Sequence, residues 1–232
     1  LVTGRKVPVF LGSSFAFIPV ILAVSPVKQG TNIPVDPANL SYVTGGIVIA
    51  GLVYLLMALL VYLFGVEKVR SFFPPVVTGP VIMVIGLGLS PTAIDMASGN
   101  WLIAIIVVAS IILVSVFAKG FFKLVPILIG IAAGYVASML FCIVDYAPIQ
   151  QASWFQLPEF MFPKFSWPAI LTIAPIAFVT FMEHIGDITT NSAVVGKDFL
   201  KDPGLARTLI GDGLATSFAG LVGGPANTTY SE

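Results

Sequence analysis

Charge is scarce in this chain. Only 9% of its 232 residues are charged, whereas 57% are hydrophobic, and the formal net charge is zero. Because a soluble globular domain carries about 25% charged residues, this deficit excludes a water-exposed surface over most of the molecule and predicts a membrane protein. The sequence also lacks a basic or acidic tract, so nucleic acid is not an expected partner.

Cysteine and histidine each occur once, which limits the possible metal and redox chemistry. The single Cys142 excludes an intrachain disulfide and a thiolate metal site, and its apolar neighbours predict a small buried side chain. His184 has neither a second histidine nor a suitably spaced cysteine as a partner. The sequence therefore predicts no metal site and no cofactor, and it gives His184 a packing or hydrogen-bonding role.

Long apolar runs dominate the rest of the sequence. A helix needs about 20 apolar residues to cross a hydrocarbon core of roughly 30 Å. Seven segments approach this length, at about 9–24, 43–64, 75–94, 101–118, 124–145, 168–189 and 207–224. The predicted fold class is therefore an all-α, polytopic membrane protein.

Lysine and arginine are unevenly divided between the alternate loops of this arrangement. One set of loops holds nine of them, namely Arg5, Lys6, Lys68, Arg70, Lys119, Lys123, Lys197, Lys201 and Arg207. The other set holds Lys28 and Lys164. Since cytoplasmic loops carry the excess of lysine and arginine, the side with nine is predicted to face the cytoplasm.

Small residues recur at helical spacing in two of the spans, where they would let helix backbones approach closely in lipid. Two stripes meet this description, one of Gly130, Gly134 and Ser138 and one of Gly211, Ala215, Ala219 and Gly223. Both are predicted to be helix-packing faces.

The stretch "FMEHIGDITT", residues 181–190, brings ionisable groups into the sixth span. Glu183 and Asp187 are four residues apart and share a helix face, whereas His184 points about 100° away from Glu183. A charge at membrane depth costs at least a few kcal/mol and usually faces a cavity or a partner. A shielded carboxyl group of this kind can gain and lose a proton near neutral pH, as a proton-coupled transporter requires. The simpler alternative is that the span end reaches water, above all at Asp187.

Two of the spans are interrupted by small and polar residues. They contain "LGSSFAFIPV" at residues 11–20 and "GGPANTTYSE" at residues 223–232. Pro19 and Pro225 lack the N–H that a continuous helix needs. Unwound backbone inside a membrane is tolerated where it is buried or lines a cavity, and interrupted segments at corresponding positions of two halves indicate the binding site of an inverted-repeat transporter.

A further carboxylate, Asp212, lies in the seventh predicted span. It follows Arg207 near the start of that span. We interpret it as a helix-terminal carboxylate that is stabilised by the helix dipole or by Arg207.

Several stretches resemble the uracil permeases of the nucleobase–ascorbate transporter family. The similar text is "KVPVFLGSSFAFI", "FFPPVVTGPVIMVIGLGL", "LVPILIGIAAGY", "EHIGD", "GKDFLKDPGLARTLIGDGLAT" and "GGPANTTYSE", and the resemblance runs from end to end. It implies a fourteen-span fold of two inverted repeats, with a substrate-binding core and a gate. On that map the chain runs from the third span to the start of the tenth, so we expect the sequence to be incomplete.

The same resemblance implies domain roles, location and assembly. Residues 1–66 would form the first-repeat part of the core, 67–147 the first-repeat part of the gate, and 148–232 the truncated second-repeat part of the core. The protein would be a multi-pass protein of the bacterial cytoplasmic (inner) membrane. A homodimer through the gate is implied as well.

A site for uracil and a proton is also implied by position. The positions that match substrate-binding residues are Phe15, Glu183, Tyr230, Ser231 and Glu232. Phe15 would pack on the base, and Glu183 would bind substrate and couple the proton, with Asp187 as a second coupling group. Uracil presents two N–H donors and two carbonyl acceptors, so carboxylates and backbone N–H groups at a strand or helix start would satisfy both.

Three positions bear on substrate choice and coupling. Bacterial uracil permeases often have histidine where this chain has Asp187, and glycine where it has Ser231. Xanthine and urate carriers of the family usually have glutamine at the position of Glu232, so this residue favours a pyrimidine. The resemblance thus implies import of uracil with a proton.

Other functions stay open at this point. Xanthine or another nucleobase is an alternative substrate. An anion carrier of related fold would place a basic residue between the interrupted segments, where the sequence shows none. An intramembrane enzyme would have to use Ser13 or Ser14 with His184, without the motif of a known hydrolase. A fragment that does not transport is the last alternative.

Overall fold

A computed structural model describes residues 2–4, 6–28, 34–72, 75–119, 122, 125–151 and 160–230. Its elements in chain order are β1 (Phe10–Ser13), a 3₁₀ turn (Phe15–Phe17), α1 (Ile18–Val24), α2 (Ala38–Phe64), α3 (Val66–Phe72), α4 (Pro75–Ser98), α5 (Trp101–Phe117), α6 (Pro126–Leu140), α7 (Ala147–Gln151), α8 (Trp167–Ile173), α9 (Ile176–Val195), a π-helical turn (Leu200–Gly204), α10 (Leu205–Val222) and β2 (Asn227–Tyr230). They fall into two compact units, one formed by residues 1–89 with 159–231 and one built on residues 90–158.

Each predicted span coincides with helical structure, but the first and the sixth are divided. The first consists of β1, the 3₁₀ turn and α1, so the structure departs from the all-α expectation. The sixth breaks between α8 and α9, where Pro175 lacks an N–H group to continue the helical ladder. This second break was not predicted from the sequence.

Two helical stretches among the described residues are long and apolar enough to cross a membrane, Ala38–Phe64 and Trp167–Val195. The second stretch is α8 and α9 taken together. By contrast, α5 has 17 residues and α6 has 15, fewer than the roughly 20 that a full crossing requires. The presence of long apolar helices is thus confirmed, and the count of seven spans stays a prediction.

Helices α2 and α10 form the central packing of the larger unit. A Cβ atom added at Gly213 would lie 2.9 Å from both the carbonyl oxygen of Gly51 and the Cβ atom of Tyr54. A Cβ atom at Gly211 would meet nothing within 4 Å. The predicted stripe therefore does not pack at Gly211, whereas at its other end a Cβ atom at Gly223 would lie 2.9 Å from the backbone nitrogen of Met161. Small residues surround α10 on several sides, so their spacing alone does not select one packing face.

The core of this unit is apolar and closely packed. Its fully buried large side chains come from several elements: Tyr54, Phe17, Phe181, Ile188, Leu205 and Leu209. They join α2, the 3₁₀ turn, α9 and α10 into one cluster. Because the turn and α9 share this core, the end of β1 is held beside the middle of α9.

The opposite face of α2 is apolar too, but exposed. Leu52, Leu56, Leu59 and Leu63 recur every three to four residues along it and are each about half exposed or more. Soluble proteins rarely expose contiguous apolar patches of this kind. The face therefore fits a hydrocarbon environment.

In the smaller unit, α5 and α6 pack through glycine. A side chain at Gly130 would clash with Ile111, and one at Gly134 would clash with Val107. The prediction that this stripe is a packing face is confirmed. The prediction for Cys142 is wrong, since its side chain is exposed just beyond the end of α6; apolar neighbours at a helix end do not ensure that a residue is covered.

Candidate functional site

The two interrupted segments pair with each other as antiparallel strands. In the register of β1 and β2, Phe10 lies opposite Tyr230 and Ser13 lies opposite Asn227. The Ser14 N–H continues the ladder by donating to the Ala226 carbonyl oxygen at 2.8 Å. Backbone polar groups need partners where water is absent, and the pairing supplies them. The prediction that both segments leave the helical conformation is confirmed.

Gly223 determines the direction in which the chain leaves α10 and enters β2. Helix α10 ends at Gly223, which adopts a left-handed conformation with φ of 91° and so reverses the chain without a Cβ penalty. The backbone N–H of Asn227 then donates to the hydroxyl oxygen of Thr216 in α10 at 3.3 Å. The start of β2 is therefore fixed against the helix that precedes it.

Two carboxylate side chains of α9 accept hydrogen bonds from β2. The Thr228 hydroxyl donates to Glu183 Oε2 at 3.5 Å, and the Thr229 hydroxyl donates to Asp187 Oδ2 at 3.1 Å. Both carboxylate residues are partly buried. The shared helix face predicted for Glu183 and Asp187 thus lies against the strand pair.

His184 projects into the protein interior between α9, α10 and β2. Its Nε2 lies 2.9 Å from Thr208 Oγ1, and its Nδ1 lies 3.3 Å from Thr229 Oγ1. The side chain is fully buried, so the predicted hydrogen-bonding role is confirmed. These partners are threonines of α10 and β2, whereas the buried Ser14 hydroxyl has no hydrogen-bond partner in the described part of the chain.

The interpretation of Asp212 as a helix-terminal carboxylate is wrong. Asp212 is the eighth residue of α10 and is fully buried, with Oδ2 lying 3.3 Å from His184 Nδ1. Arg207 is exposed, and residues five apart point about 140° away from each other on a helix. The partner of Asp212 is thus a histidine from another helix, which the sequence of α10 alone does not reveal.

Aromatic side chains lie along the strand pair. The Tyr230 ring stacks on Phe10 with a centroid distance of 5.1 Å and an interplanar angle of 9°. Phe15 lies on the 3₁₀ turn directly after β1 and is 59% exposed, so its ring is open to a ligand. Ser231 and Glu232, also predicted as substrate-binding, lie outside the described residues.

The structure therefore brings together β1, β2 and α9, with Glu183 and Asp187 against the strands. Such a site offers carboxylate acceptors for N–H groups and an exposed phenyl ring for a flat ligand. Phe10, Thr228 and Thr229 were not predicted from the sequence. For the two threonines the signal would have been strand alternation in "NTTY", because successive strand residues point to opposite faces and so direct the two threonines to different partners.

Known proteins resemble this chain along its whole length. The profile of the Permease family (Xan_ur_permease) matches residues 1–232. A probable uracil permease of Haemophilus influenzae is 46% identical over 239 residues, covering 99% of this chain and 55% of that protein. The uracil permease of Bacillus subtilis is 40% identical over 252 residues, covering 100% of this chain and 55% of that protein.

The uracil permease of Escherichia coli (strain K12) is 38% identical over 239 residues, with 98% of this chain and 53% of that protein covered. The chain thus spans about half the length of these curated relatives. The family match and the long apolar helices together indicate an integral membrane protein. The chain belongs to the Permease family.

Proposed function

We propose that this chain is part of a proton-coupled uracil permease and carries most of its substrate site. The observation that supports this most directly is the attachment of β2 to α9 through Thr228–Glu183 and Thr229–Asp187. It sets two acidic side chains beside two unwound segments within apolar helical structure. The printed names of the relatives support uracil as the substrate.

Substrate binding follows from the chemistry of the parts. Glu183 accepts an N–H group of the base, and Phe15 covers one face of the ring. A protonated Glu183 still accepts through its carbonyl oxygen, and its O–H group can donate to a carbonyl oxygen of the base. Tyr230 closes the other side of the site, and Ser231 and Glu232, which lie outside the described residues, are assigned to substrate binding by the resemblance alone.

Proton coupling requires that one carboxyl group holds a proton during part of the cycle. Two carboxylates that approach each other cannot both be ionised without a large electrostatic penalty. We assign the proton to Glu183, with Asp187 as its neighbour four residues along α9. Protonation from outside favours uracil binding, and release of both to the cytoplasm completes import.

Movement and location complete the proposal. The core, residues 1–66 and 148–232, moves against the gate, residues 67–147, in alternating access. The protein lies in a bacterial cytoplasmic membrane. The loops that hold nine of the lysine and arginine residues face the cytoplasm, because cytoplasmic loops carry the excess of these residues.

Uptake of labelled uracil tests this function. The full reading frame that contains this chain is expressed in cells that lack uracil uptake, and accumulation is measured with and without a protonophore. We expect concentrative uptake that the protonophore abolishes and that unlabelled uracil inhibits more than xanthine or adenine. Stronger inhibition by xanthine would reassign the substrate, and uptake indifferent to the protonophore would refute proton coupling.

A further inference from the structure

A buried polar cluster lies behind the carboxylate face of α9. It consists of His184, Asp212, Thr208 and Thr229, of which the first two are fully buried and the threonines are 5% and 3% exposed. Both carboxylate oxygens of Asp212 lack a hydrogen-bond partner within the described ranges. The distance of 3.3 Å between Asp212 Oδ2 and His184 Nδ1 is that of an ion pair, but the contact is not a hydrogen bond. Buried polar atoms without partners are rare and need a physical explanation.

The hydrogen bonds of Thr208 fix one side of the imidazole. The Thr208 hydroxyl donates its single proton to the Leu205 carbonyl oxygen at 2.9 Å. It can therefore only accept in its 2.9 Å contact with His184 Nε2. Consequently Nε2 carries a proton, and Nδ1 is the nitrogen whose protonation can change.

The Thr229 hydroxyl lies near two possible acceptors but has only one proton to donate. Asp187 Oδ2 lies 3.1 Å from Thr229 Oγ1, and His184 Nδ1 lies 3.3 Å from the same atom. A carboxylate can only accept. When the hydroxyl donates to Asp187, the contact with Nδ1 requires an N–H on that nitrogen, and His184 is then an imidazolium beside Asp212.

The neutral imidazole requires the other arrangement. Nδ1 then has a lone pair, and the Thr229 proton turns towards it and leaves Asp187. When Nδ1 gains a proton, one O–H bond of a hydronium ion in the solvent breaks and a water molecule remains. When Nδ1 loses the proton, the Nδ1–H bond breaks and a water molecule becomes hydronium. Gain or loss of one proton at His184 thus changes the donor available to Asp187.

The charged and titratable groups around His184 are few. On α9 itself they are Glu183 and Asp187, on α10 Asp212, and on α2 the buried Tyr54, which interacts electrostatically with all three carboxyl groups. In the N-terminal segment, Lys6 is exposed and bonded to Asp202 at 2.7 Å, so it does not face the cluster. Within the described residues, the ionisable groups near His184 on these three helices are therefore the three carboxyl groups and one tyrosine.

A cavity lies beside the cluster. It has a volume of about 240 Å³ and is lined by His184, Thr208, Asp212 and Thr229 together with Thr3 and other residues of the N-terminal segment. This exceeds the roughly 30 Å³ that one water occupies, and the polar lining supplies hydrogen-bond partners. The cavity can therefore hold water beside the cluster, and because His184 and Asp212 are fully buried, a proton reaches Nδ1 from that water only when the side chains that cover it move.

We propose that the Thr229 hydroxyl is a positioning switch, which turns between Asp187 and His184 according to whether Nδ1 of His184 holds a proton. The buried cluster thereby transmits its protonation to the carboxylate face of the site through one side chain of β2. This role rests on the proposed function, since it concerns coupling in that same transporter.

Variants at Thr229 test the switch through the pH profile of uracil uptake. Thr229→Val keeps the shape of the side chain and removes the hydroxyl, so we expect loss of the difference in uptake between acidic and neutral medium. Thr229→Ser restores that response. Thr44→Val is the matched control, because Thr44 is also buried but donates to Ser41 in its own helix, and it keeps the wild-type profile. A wild-type profile in Thr229→Val would overturn the proposal.

Nitrogen-15 NMR of histidine-labelled protein measures the protonation of His184 directly. It does not depend on whether the Thr229 variants fold. The His184 signals are assigned by their loss in His184→Gln. We expect the Nδ1 signal to change between protonated and unprotonated forms with pH while Nε2 stays protonated. An Nδ1 signal that stays in one form, or a proton lost from Nε2 instead, contradicts the switch. If the wild type takes up no uracil, the proposed function fails, whereas this titration still decides the protonation of His184.

Discussion

The hydroxyl of Tyr230 donates a hydrogen bond to the carbonyl oxygen of Ser13 across 2.7 Å, although the two residues are 217 positions apart. The backbone of Tyr230 lies opposite Phe10 in the register, so the side chain runs along β1 to reach Ser13. A Cβ atom at Gly12 would lie 2.9 Å from the tyrosine ring. The absence of a side chain at Gly12 therefore permits this bond between the strands.

Tyr230→Phe should weaken the strand pair and the site that it supports. The ring can still stack on Phe10, but the bond to Ser13 is lost, which costs about 1 kcal/mol. If the strand ends position the substrate, uracil affinity falls by roughly fivefold. Isothermal titration of the purified full-length protein measures this. Tyr62→Phe, at a position that is 79% exposed on α2, is the control, and equal affinity in Tyr230→Phe and wild type would contradict the expectation.

Glu183→Gln should separate binding from proton-driven accumulation. The amide oxygen can still accept from Thr228, but the side chain no longer carries an exchangeable acidic proton. We expect concentrative uptake of labelled uracil to be lost while exchange of uracil across the membrane persists. The exposed Glu67 in the first turn of α3 provides the control variant Glu67→Gln. Unchanged accumulation in Glu183→Gln would remove this residue from coupling.

Phe15→Ala and Phe17→Ala should have opposite consequences, although both residues belong to the same turn. Phe15 is 59% exposed and Phe17 is fully buried. Truncation of a buried phenylalanine costs about 3–5 kcal/mol of stability, so Phe17→Ala lowers the melting temperature. Phe15→Ala leaves the melting temperature near that of the wild type and weakens uracil binding. If Phe15→Ala instead lowers stability with affinity intact, Phe15 is a packing residue.

Gly213→Ala and Gly211→Ala separate the packed side of α10 from its open side. The added methyl group at Gly213 meets the backbone of Gly51 and the Cβ atom of Tyr54 at 2.9 Å, and such overpacking costs about 1–3 kcal/mol. At Gly211 the methyl group meets nothing within 4 Å, and alanine is favoured over glycine in a helix by about 1 kcal/mol. Thermal unfolding in detergent should show a loss for the first variant only. Equal stability of both would show that α2 and α10 are not closely packed there.

The helices could be predicted well from the sequence because their cause is local. Apolar length and composition place α2, α4, α5, α6 and α10 near their observed positions. Proline and small residues likewise indicate that the chain leaves the helical conformation before α1 and after α10. The break at Pro175 was missed because apolar residues continue on both sides of it, so composition does not change there.

The site could be predicted only where one residue type carries the signal. Carboxylates inside an apolar run identify Glu183 and Asp187 as unusual, and helical spacing puts them on one face. The partners of Asp212 and the roles of Thr228 and Thr229 depend on which elements meet in space. Pairing of β1 with β2 is a contact between segments far apart in the sequence, and no local pattern determines it.

That separation has a consequence for biosynthesis. At ribosomal rates of about 5–20 residues per second, roughly 10–40 s pass between the appearance of Ser13 and that of Tyr230, its partner at a separation of 217 residues. During this interval the N–H and C=O groups of β1 do not yet have β2 to bond. The nascent protein must therefore keep β1 in water, in the translocation machinery or against another part of the chain until β2 arrives, and ligand recognition begins only after that pairing.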